Sequence, residues 1–255
     1  MSDEPSLLGK KVFFLYPPSV VRDDLITQLL ENEFEIYMLK DHEAARRLLR
    51  KFPDSIIFVN IDEGMLESAW EAWMRAILAA PETAGVGIGI VTYNNDEALQ
   101  RKYLMDVGIR CGFVRLKLGI EQSAKILLDT LTANEAKGRR KYVRANCAND
   151  SLSTVNMNYA GGQVLGTVKD ISVVGFSCAF TPDPRIAKNS LLQDVQLKLR
   201  GVLVKVEGIV LGTRGSDSTE YVVLFTNKVD GAARSKIRRY IQVALQSEIE
   251  LVGRT

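Results

Sequence analysis

The first half of the chain alternates short apolar segments with amphipathic ones, and this alternation restricts the possible folds more than any other feature. Five apolar segments are each followed by a stretch whose apolar residues recur at the spacing of a helix. The segment DSIIFVNI is apolar almost throughout, as expected for a strand with both faces covered. Five strands each followed by a helix predict a parallel, doubly wound α/β sheet with right-handed crossovers.

The pattern changes near Glu135, where period-two alternation punctuated by turns replaces the helical spacing. Several short strands follow, and the segment DGAARSKIRRYIQVALQSEI closes the chain as an amphipathic helix whose apolar residues include Ile237, Ile241, Val243 and Leu245. Short strands, hairpin turns and one terminal helix predict a small, all-β barrel of six strands. We therefore expect a first domain at 1–134, a basic hinge segment at 135–144 and a barrel domain at 145–255.

Charge divides the chain at the same place. The formal net charge of the 255 residues is only +2. Residues 1–136 nevertheless carry 15 Lys and Arg against 21 Asp and Glu, a net charge of −6, and residues 137–255 carry 18 against 10, a net charge of +8. This asymmetry indicates two domains with different roles, of which the second suits an anionic ligand.

The inventory of reactive residues argues against an enzyme and against a metal site. His42 is the only histidine, and we expect it in the first turn of a helix. The spacing of Cys111, Cys147 and Cys178 fits neither a disulfide framework nor a zinc site, which predicts reduced thiols in the core. No nucleophile elbow or phosphate loop is recognisable. We therefore expect no catalytic residues, no metal and no cofactor.

The sequence shows no sign of a membrane segment. The N-terminal MSDEPSLLGKK is acidic and lacks an apolar run of signal-peptide length, and no window approaches 18 uninterrupted apolar residues. These features predict a cytoplasmic protein without membrane insertion.

Two short motifs in the basic half carry the functional prediction. Arg140 and Arg144 bracket three residues in GRRKYVR, and DISVVG supplies the pattern D-x-S-x-x-G through Asp170, Ser172 and Gly175. Taken alone, the arginine motif is typical of a solvated basic linker, and the D-x-S-x-x-G motif is typical of a strand that ends in a turn. Their joint occurrence, in this order and on a β-rich segment after a domain boundary, is far more specific.

This pair resembles the two-part signature of the PilZ domain, a β-barrel family that binds cyclic di-GMP. The likeness extends from about residue 138 to 248 and includes the terminal helix, although Val174 stands where a second glycine is frequent. The resemblance implies that Arg140, Arg144, Asp170, Ser172 and Gly175 bind cyclic di-GMP. It also implies that Arg139, which directly precedes the first motif arginine, favours a stacked pair of ligand molecules.

The chemistry of these residues agrees with the resemblance. The guanidinium fork of arginine matches phosphate oxygens and the O6 and N7 acceptors of guanine. Asp170 can accept hydrogen bonds from guanine N1–H and N2–H. Ser172 can donate to a phosphate or fix the turn, and Gly175 permits a close backbone approach that a Cβ would block.

The first half, over about residues 10 to 133, resembles the receiver domain of response regulators, but without the residues that its chemistry needs. Tyr16 and two prolines stand where an acidic pair would follow strand one, and Val59 or Asn60 stands where the phosphoacceptor aspartate would end strand three. Thr92 and Lys117 match the remaining positions. The resemblance implies a pseudo-receiver that cannot be phosphorylated.

Two questions about this half stay open at the level of sequence. Asp62 is the only acid near the end of strand three, which leaves metal-dependent phosphotransfer on Asp62 as a residual possibility. Trp70 and Trp73 fall near one side of a helix, where such a pair is either core or, if exposed, a contact site for a protein.

We therefore predict an effector that senses cyclic di-GMP, changes the arrangement of its domains, and signals to an unidentified protein partner through the receiver-like domain. Motility, biofilm or virulence control would all fit. The alternative is a nucleic-acid-binding regulator in which the receiver-like half is the sensor. The basic residues are scattered and show no helix-turn-helix or RNA-binding signature, which makes nucleic acid the weaker prediction.

Overall fold

The computed structural model describes residues 9–215 and 219–254. By their contacts these residues form two compact units. The first contains the residues up to Lys141 together with those from Gln246 onward, and the second is Tyr142–Leu245. Each unit is described below by itself.

The first unit contains a five-stranded parallel sheet. Its strands are β1 (Val12–Leu15), β2 (Ile36–Leu39), β3 (Ile56–Asn60), β4 (Gly87–Thr92) and β5 (Phe113–Arg115). They lie in the order β2-β1-β3-β4-β5, and every paired neighbour is parallel. This is a strand order of doubly wound folds with helices on both faces, so the predicted α/β architecture is confirmed.

Five helices alternate with these strands. They are α1 (Ile26–Glu31), α2 (His42–Lys51), α3 (Glu67–Ala79), α4 (Glu97–Arg101) and α5 (Ile120–Ala133). A π-helical turn, Val21–Leu25, leads into α1, and another, Lys102–Val107, extends α4. All residues of β1 and β3 are buried, as expected for central strands with both faces covered.

In this unit the structure confirms one local prediction and answers one open question. The side chain of Asp41 caps α2 by accepting a hydrogen bond from the Glu43 main-chain N–H at 2.8 Å, so that His42 is the first residue of the helix. Trp70 and Trp73 are both buried, and the Trp70 indole donates to the Glu63 carbonyl at 3.0 Å. The tryptophan pair is therefore core.

The second unit is an antiparallel barrel. Its strands are β6 (Ala145–Asn146), β7 (Ser153–Tyr159), β8 (Gly162–Ser172), β9 (Gly175–Phe180), β10 (Leu191–Leu199), β11 (Val202–Arg214) and β12 (Glu220–Phe225). The order β8-β7-β10-β11-β12-β9 closes on itself because β9 also pairs with β8. The predicted six-stranded barrel is confirmed, with the two-residue β6 added beside β8.

The terminal helix α6 (Gly231–Arg254) begins in the second unit and ends in the first. Within the second unit Ile237, Ile241 and Leu245 are buried, whereas Val243 is 46% exposed. Val243 was predicted with the apolar face, and that assignment is wrong because the buried residues recur every four positions, which turns Val243 to another side of the helix.

Within the first unit, the last residues of α6 form hydrogen bonds with β2 and α2. The Gln246 side-chain amide pairs with the main-chain N–H and C=O of Met38, at 2.9 and 2.8 Å. The Arg47 guanidinium donates two hydrogen bonds to the Gly253 carbonyl, at 3.0 and 2.8 Å. Across residues 9–215 and 219–254, no helix is long and apolar enough to cross a membrane.

Candidate functional site

The basic segment contributes exposed arginines. Arg139, Arg140 and Arg144 are exposed, lie outside helices and strands, and form no hydrogen bond or ion pair with any residue that the structure describes. β6 begins directly after Arg144 and pairs Ala145 with Ile171 in antiparallel register. Arg144 therefore lies level with Ser172, so the register brings the second arginine of the first motif beside the second motif.

The second motif forms the tight hairpin between β8 and β9. Ser172 and Gly175 are opposite each other in the register, with a two-residue turn between them. The Ser172 hydroxyl donates to the Gly175 carbonyl at 3.2 Å and accepts from the Val174 main-chain N–H at 3.4 Å. Since Ser172 is only 3% exposed, its hydroxyl fixes the turn, which is one of the two roles predicted for it.

Gly175 lies where two strands approach closely. A Cβ at this position would lie 2.4 Å from the Val223 carbonyl oxygen of β12, and a contact that short would require the backbone to shift. The glycine is therefore needed for the close approach of β12.

The turn is held from a second side by α6. The Arg234 guanidinium donates to the Val173 carbonyl at 2.7 Å, and the Phe225 main-chain N–H donates to the Val174 carbonyl at 2.8 Å. Both turn carbonyls are thus paired within the second unit. Arg234 lies in the segment predicted as the terminal helix, but no sequence pattern predicts its contact with this turn.

Asp170 lies on β8 and takes part in a polar network with residues of β9, β11 and β12. Its Oδ2 atom accepts from the Ser177 hydroxyl at 3.0 Å and from the Arg214 guanidinium. Arg214 also donates to Ser177 Oγ at 2.8 Å and, through Nε, to Glu220 Oε1 at 2.7 Å. Burial lowers the pKa of Arg214, but the hydrogen bonds to Glu220 and Asp170 outweigh this and raise the pKa above its ordinary value.

A second network anchors the loop between β6 and β7. The Cys147 main-chain N–H donates to the Lys169 carbonyl at 2.7 Å, and the Tyr240 hydroxyl of α6 lies 3.2 Å from Cys147 Sγ. Burial raises the pKa of the Cys147 thiol to about 11. Cys111, Cys147 and Cys178 are all buried and free, which confirms the expectation of reduced core thiols.

In the first unit, side chains at or near the positions expected for receiver chemistry form hydrogen bonds within the domain. The side-chain amide of Asn60, one of the two residues predicted at the phosphoacceptor position, donates to the Tyr16 carbonyl at 2.9 Å. Asp62 accepts from the Thr92 hydroxyl at 2.6 Å and from the Tyr93 main-chain N–H at 2.7 Å. Lys117 is exposed. Among the residues that the structure describes, no group of three or more His, Cys, Asp or Glu residues could hold a metal ion.

These features define a two-domain protein with a receiver-like α/β domain and a small antiparallel barrel that carries a terminal helix. Residues 138–242 match the family model of the PilZ domain, and this C-terminal part of the chain is therefore a PilZ domain. No curated protein matches the sequence significantly.

Solved structures resemble each half separately. The PilZ domain of YcgR from Escherichia coli with c-di-GMP is 11% identical, covers 46% of this chain and 99% of its own, and has a TM-score of 0.40. The MrkH–c-di-GMP complex of K. pneumonia is 18% identical, covers 45% of this chain and 57% of its own, with a TM-score of 0.37. The chemotaxis response regulator CheY4 of Vibrio cholerae is 16% identical, covers 49% of this chain and 98% of its own, with a TM-score of 0.39.

Proposed function

We propose that this chain is a non-catalytic effector that binds cyclic di-GMP through its PilZ domain. The observation that carries the proposal is the register of β6 against β8, which sets Arg144 level with Ser172 and so joins the two motifs of that domain. The net charge of +8 in the second half supports an anionic ligand.

Each motif residue has a role in this proposal. Arg140 and Arg144 donate to the phosphates or to the O6 and N7 atoms of guanine, since both side chains are exposed and unpaired within the described residues. Asp170 accepts from the donor edge of a guanine. Ser172 and Gly175 act through the shape of the turn, because the hydroxyl is bonded to the turn and the glycine admits β12.

The direct test is calorimetric titration of the full chain with cyclic di-GMP. We expect saturable binding by the wild type and a loss of about 30-fold or more in affinity for Arg140→Ala and for Arg144→Ala, because each removes a charge-assisted contact. Arg239→Ala is the matched control, since Arg239 is exposed on α6 and has no hydrogen bond among the described residues. Wild-type affinity in Arg140→Ala would overturn the site, and salt-dependent binding of duplex DNA without the dinucleotide would favour the alternative regulator.

We further propose that Arg139 favours a stacked pair of ligand molecules, because an additional guanidinium can stack on a guanine face and contact a second set of phosphates. The calorimetric stoichiometry tests this directly. We expect two ligand molecules per chain for the wild type and one for Arg139→Leu. A stoichiometry of one in both proteins would contradict the pair without affecting the site.

The proposed output is a change in the arrangement of the domains at 1–134 and 145–255 when the ligand orders the segment 135–144. The receiver-like domain would then present its surface to a protein partner. Small-angle scattering during the titration should show a ligand-dependent change in the radius of gyration for the wild type and none for Arg140→Ala. The free, buried thiols suit a reducing compartment and support a cytoplasmic location.

A further inference from the structure

Among the described residues of the barrel, Arg214 is the one cation whose side chain links the D-x-S-x-x-G motif to both β9 and β12. It is the last residue of β11, and its side chain is 43% exposed. The guanidinium contacts Asp170 of the motif, Ser177 of β9 and Glu220 of β12. The contact between Arg214 and Asp170 joins residues that are 44 positions apart.

The hydrogen bonds of Asp170 are divided unequally between its two oxygens. Both donors, Ser177 and Arg214, bind Oδ2. Oδ1 has no hydrogen bond to any residue that the structure describes. The carboxylate is therefore held in one orientation through one oxygen, while the other oxygen keeps its capacity to accept.

The charge of the cluster indicates which part of a ligand it suits. Asp170, Glu220 and Arg214 together carry a net charge of −1, because two carboxylates face one guanidinium. A net negative cluster repels a phosphate and favours a group that presents hydrogen-bond donors. The N1–H and N2–H edge of guanine is such a group, whereas the Watson–Crick edge of adenine lacks an N1–H donor.

We propose that Arg214 is a positioning residue of the nucleotide site, which fixes the Asp170 carboxylate so that Oδ1 accepts from the donor edge of a guanine. This inference rests on the proposed function. Arg214 acts through Asp170 and determines the preference for guanine over adenine. The arginines of the basic segment bind the phosphates.

The experiment is a double-mutant cycle measured by calorimetry with cyclic di-GMP and with cyclic di-AMP. Arg214→Ala should weaken cyclic di-GMP binding about tenfold to a hundredfold, the usual effect of losing a hydrogen bond to a charged group. It should leave the weaker binding of cyclic di-AMP unchanged, so that the selectivity for guanine falls by the same factor. In the Asp170→Asn background, Arg214→Ala should change the affinity by less than about threefold.

Two further variants separate positioning from a general effect of charge or folding. Lys205→Ala removes one positive charge from the exposed side of the same strand and should bind like the wild type. Arg214→Lys keeps the charge and should recover part of the lost selectivity. If Arg214→Ala proves poorly folded by circular dichroism, Arg214→Gln, which retains a donor without the charge, takes its place in the cycle.

The outcomes distinguish this inference from the proposed function. If the wild type fails to bind cyclic di-GMP, or Arg140→Ala binds it normally, the proposed function is overturned and the role of Arg214 falls with it. If Arg140→Ala loses binding but Arg214→Ala binds with unchanged or higher affinity, only the positioning role is overturned, and a higher affinity would mean that Arg214 competes with the ligand for Asp170. Equal losses for both dinucleotides would also overturn it.

Discussion

The hydroxyl of Tyr240 on α6 lies 3.0 Å from a carboxylate oxygen of Asp150, in the loop between β6 and β7. The same hydroxyl lies 2.6 Å from the Ser153 hydroxyl, and Asp150 also pairs with Arg200 at 2.8 Å. The loop that follows the basic segment is therefore tied to the terminal helix through one buried phenol. Since β6 begins directly after Arg144, this network supports one edge of the candidate site.

Replacement of Tyr240 by phenylalanine should destabilise the protein. Tyr240→Phe removes a hydrogen bond to a charged group and leaves Asp150 and Ser153 short of a partner, which costs about 2 kcal/mol in the free energy of unfolding. Urea denaturation measures this loss. Tyr159→Phe is the control, because the Tyr159 hydroxyl has no hydrogen bond among the described residues, and it should change the free energy by less than about 0.5 kcal/mol.

The Asp150 network should also make stability depend on acid pH. Burial alone raises the pKa of Asp150, but hydrogen bonds from Arg200, Tyr240, Ser153 and the Leu152 main chain outweigh it and hold the pKa below its usual value. A carboxyl group whose pKa is lower in the folded state stabilises the fold above its unfolded pKa, about 3.9, and loses this contribution as the pH falls through the folded pKa.

We therefore expect the free energy of unfolding of the wild type to exceed that of Asp150→Asn at neutral pH. The difference between the two should shrink as the pH falls below about 4. Denaturation of both proteins between pH 7 and pH 3 measures it. A difference that stays constant with pH would contradict the assigned role of the carboxylate charge.

A methyl group at Gly175 should disturb the barrel itself. The added Cβ would lie 2.4 Å from the Val223 carbonyl oxygen, so Gly175→Ala should lower the free energy of unfolding by about 1 to 3 kcal/mol. Gly162→Ala is the matched control, because the nearest atom to its Cβ would be the Tyr159 carbonyl oxygen at 3.9 Å. Thermal unfolding compares the two, and equal stability of both variants would contradict the close approach of β12.

The receiver-like domain should not accept a phosphoryl group. Both oxygens of Asp62 already accept hydrogen bonds, from Thr92 and Tyr93, and Asn60 cannot replace the missing aspartate. Incubation with acetyl phosphate and Mg²⁺ should produce no phosphorylated species by intact-protein mass spectrometry, under conditions that label an active receiver domain. An adduct that disappears in Asp62→Asn would show that this expectation is wrong.

The fold could be predicted in large part because its signal is local. The apolar segments of the first half are short, as strands are, and their alternation with longer amphipathic segments leaves few topologies. In the second half, the alternation between apolar and polar residues predicts the strands. The two-residue strand β6 was not predicted, because a segment as short as Ala145 and Asn146 shows no periodic pattern. Its pairing with β8 depends on the register of the barrel.

The candidate site was predictable only where its residues fall into a motif. The positions of Arg139, Arg140, Arg144, Asp170, Ser172 and Gly175 follow from two short patterns, and their roles as ligand contacts remain predictions. Arg214 could not be found in this way. Its partner Asp170 lies 44 positions earlier, and only the closure of β8 and β9 against β12 and β11 brings them together.

The side-chain amide of Asn60 donates a hydrogen bond to the carbonyl of Tyr16, and this contact bears on which domain of the proposed effector receives the signal. A receiver takes its input as a phosphoryl group, which requires carboxylates after strand one and at the end of strand three. The first position is occupied here by Tyr16 and two prolines, and the second by Val59 or Asn60. Because these positions hold residues without a carboxylate, we expect the α/β domain to receive no phosphoryl input. In the proposed effector, information then flows one way, from the nucleotide bound by the barrel to the protein partner that contacts the receiver-like domain.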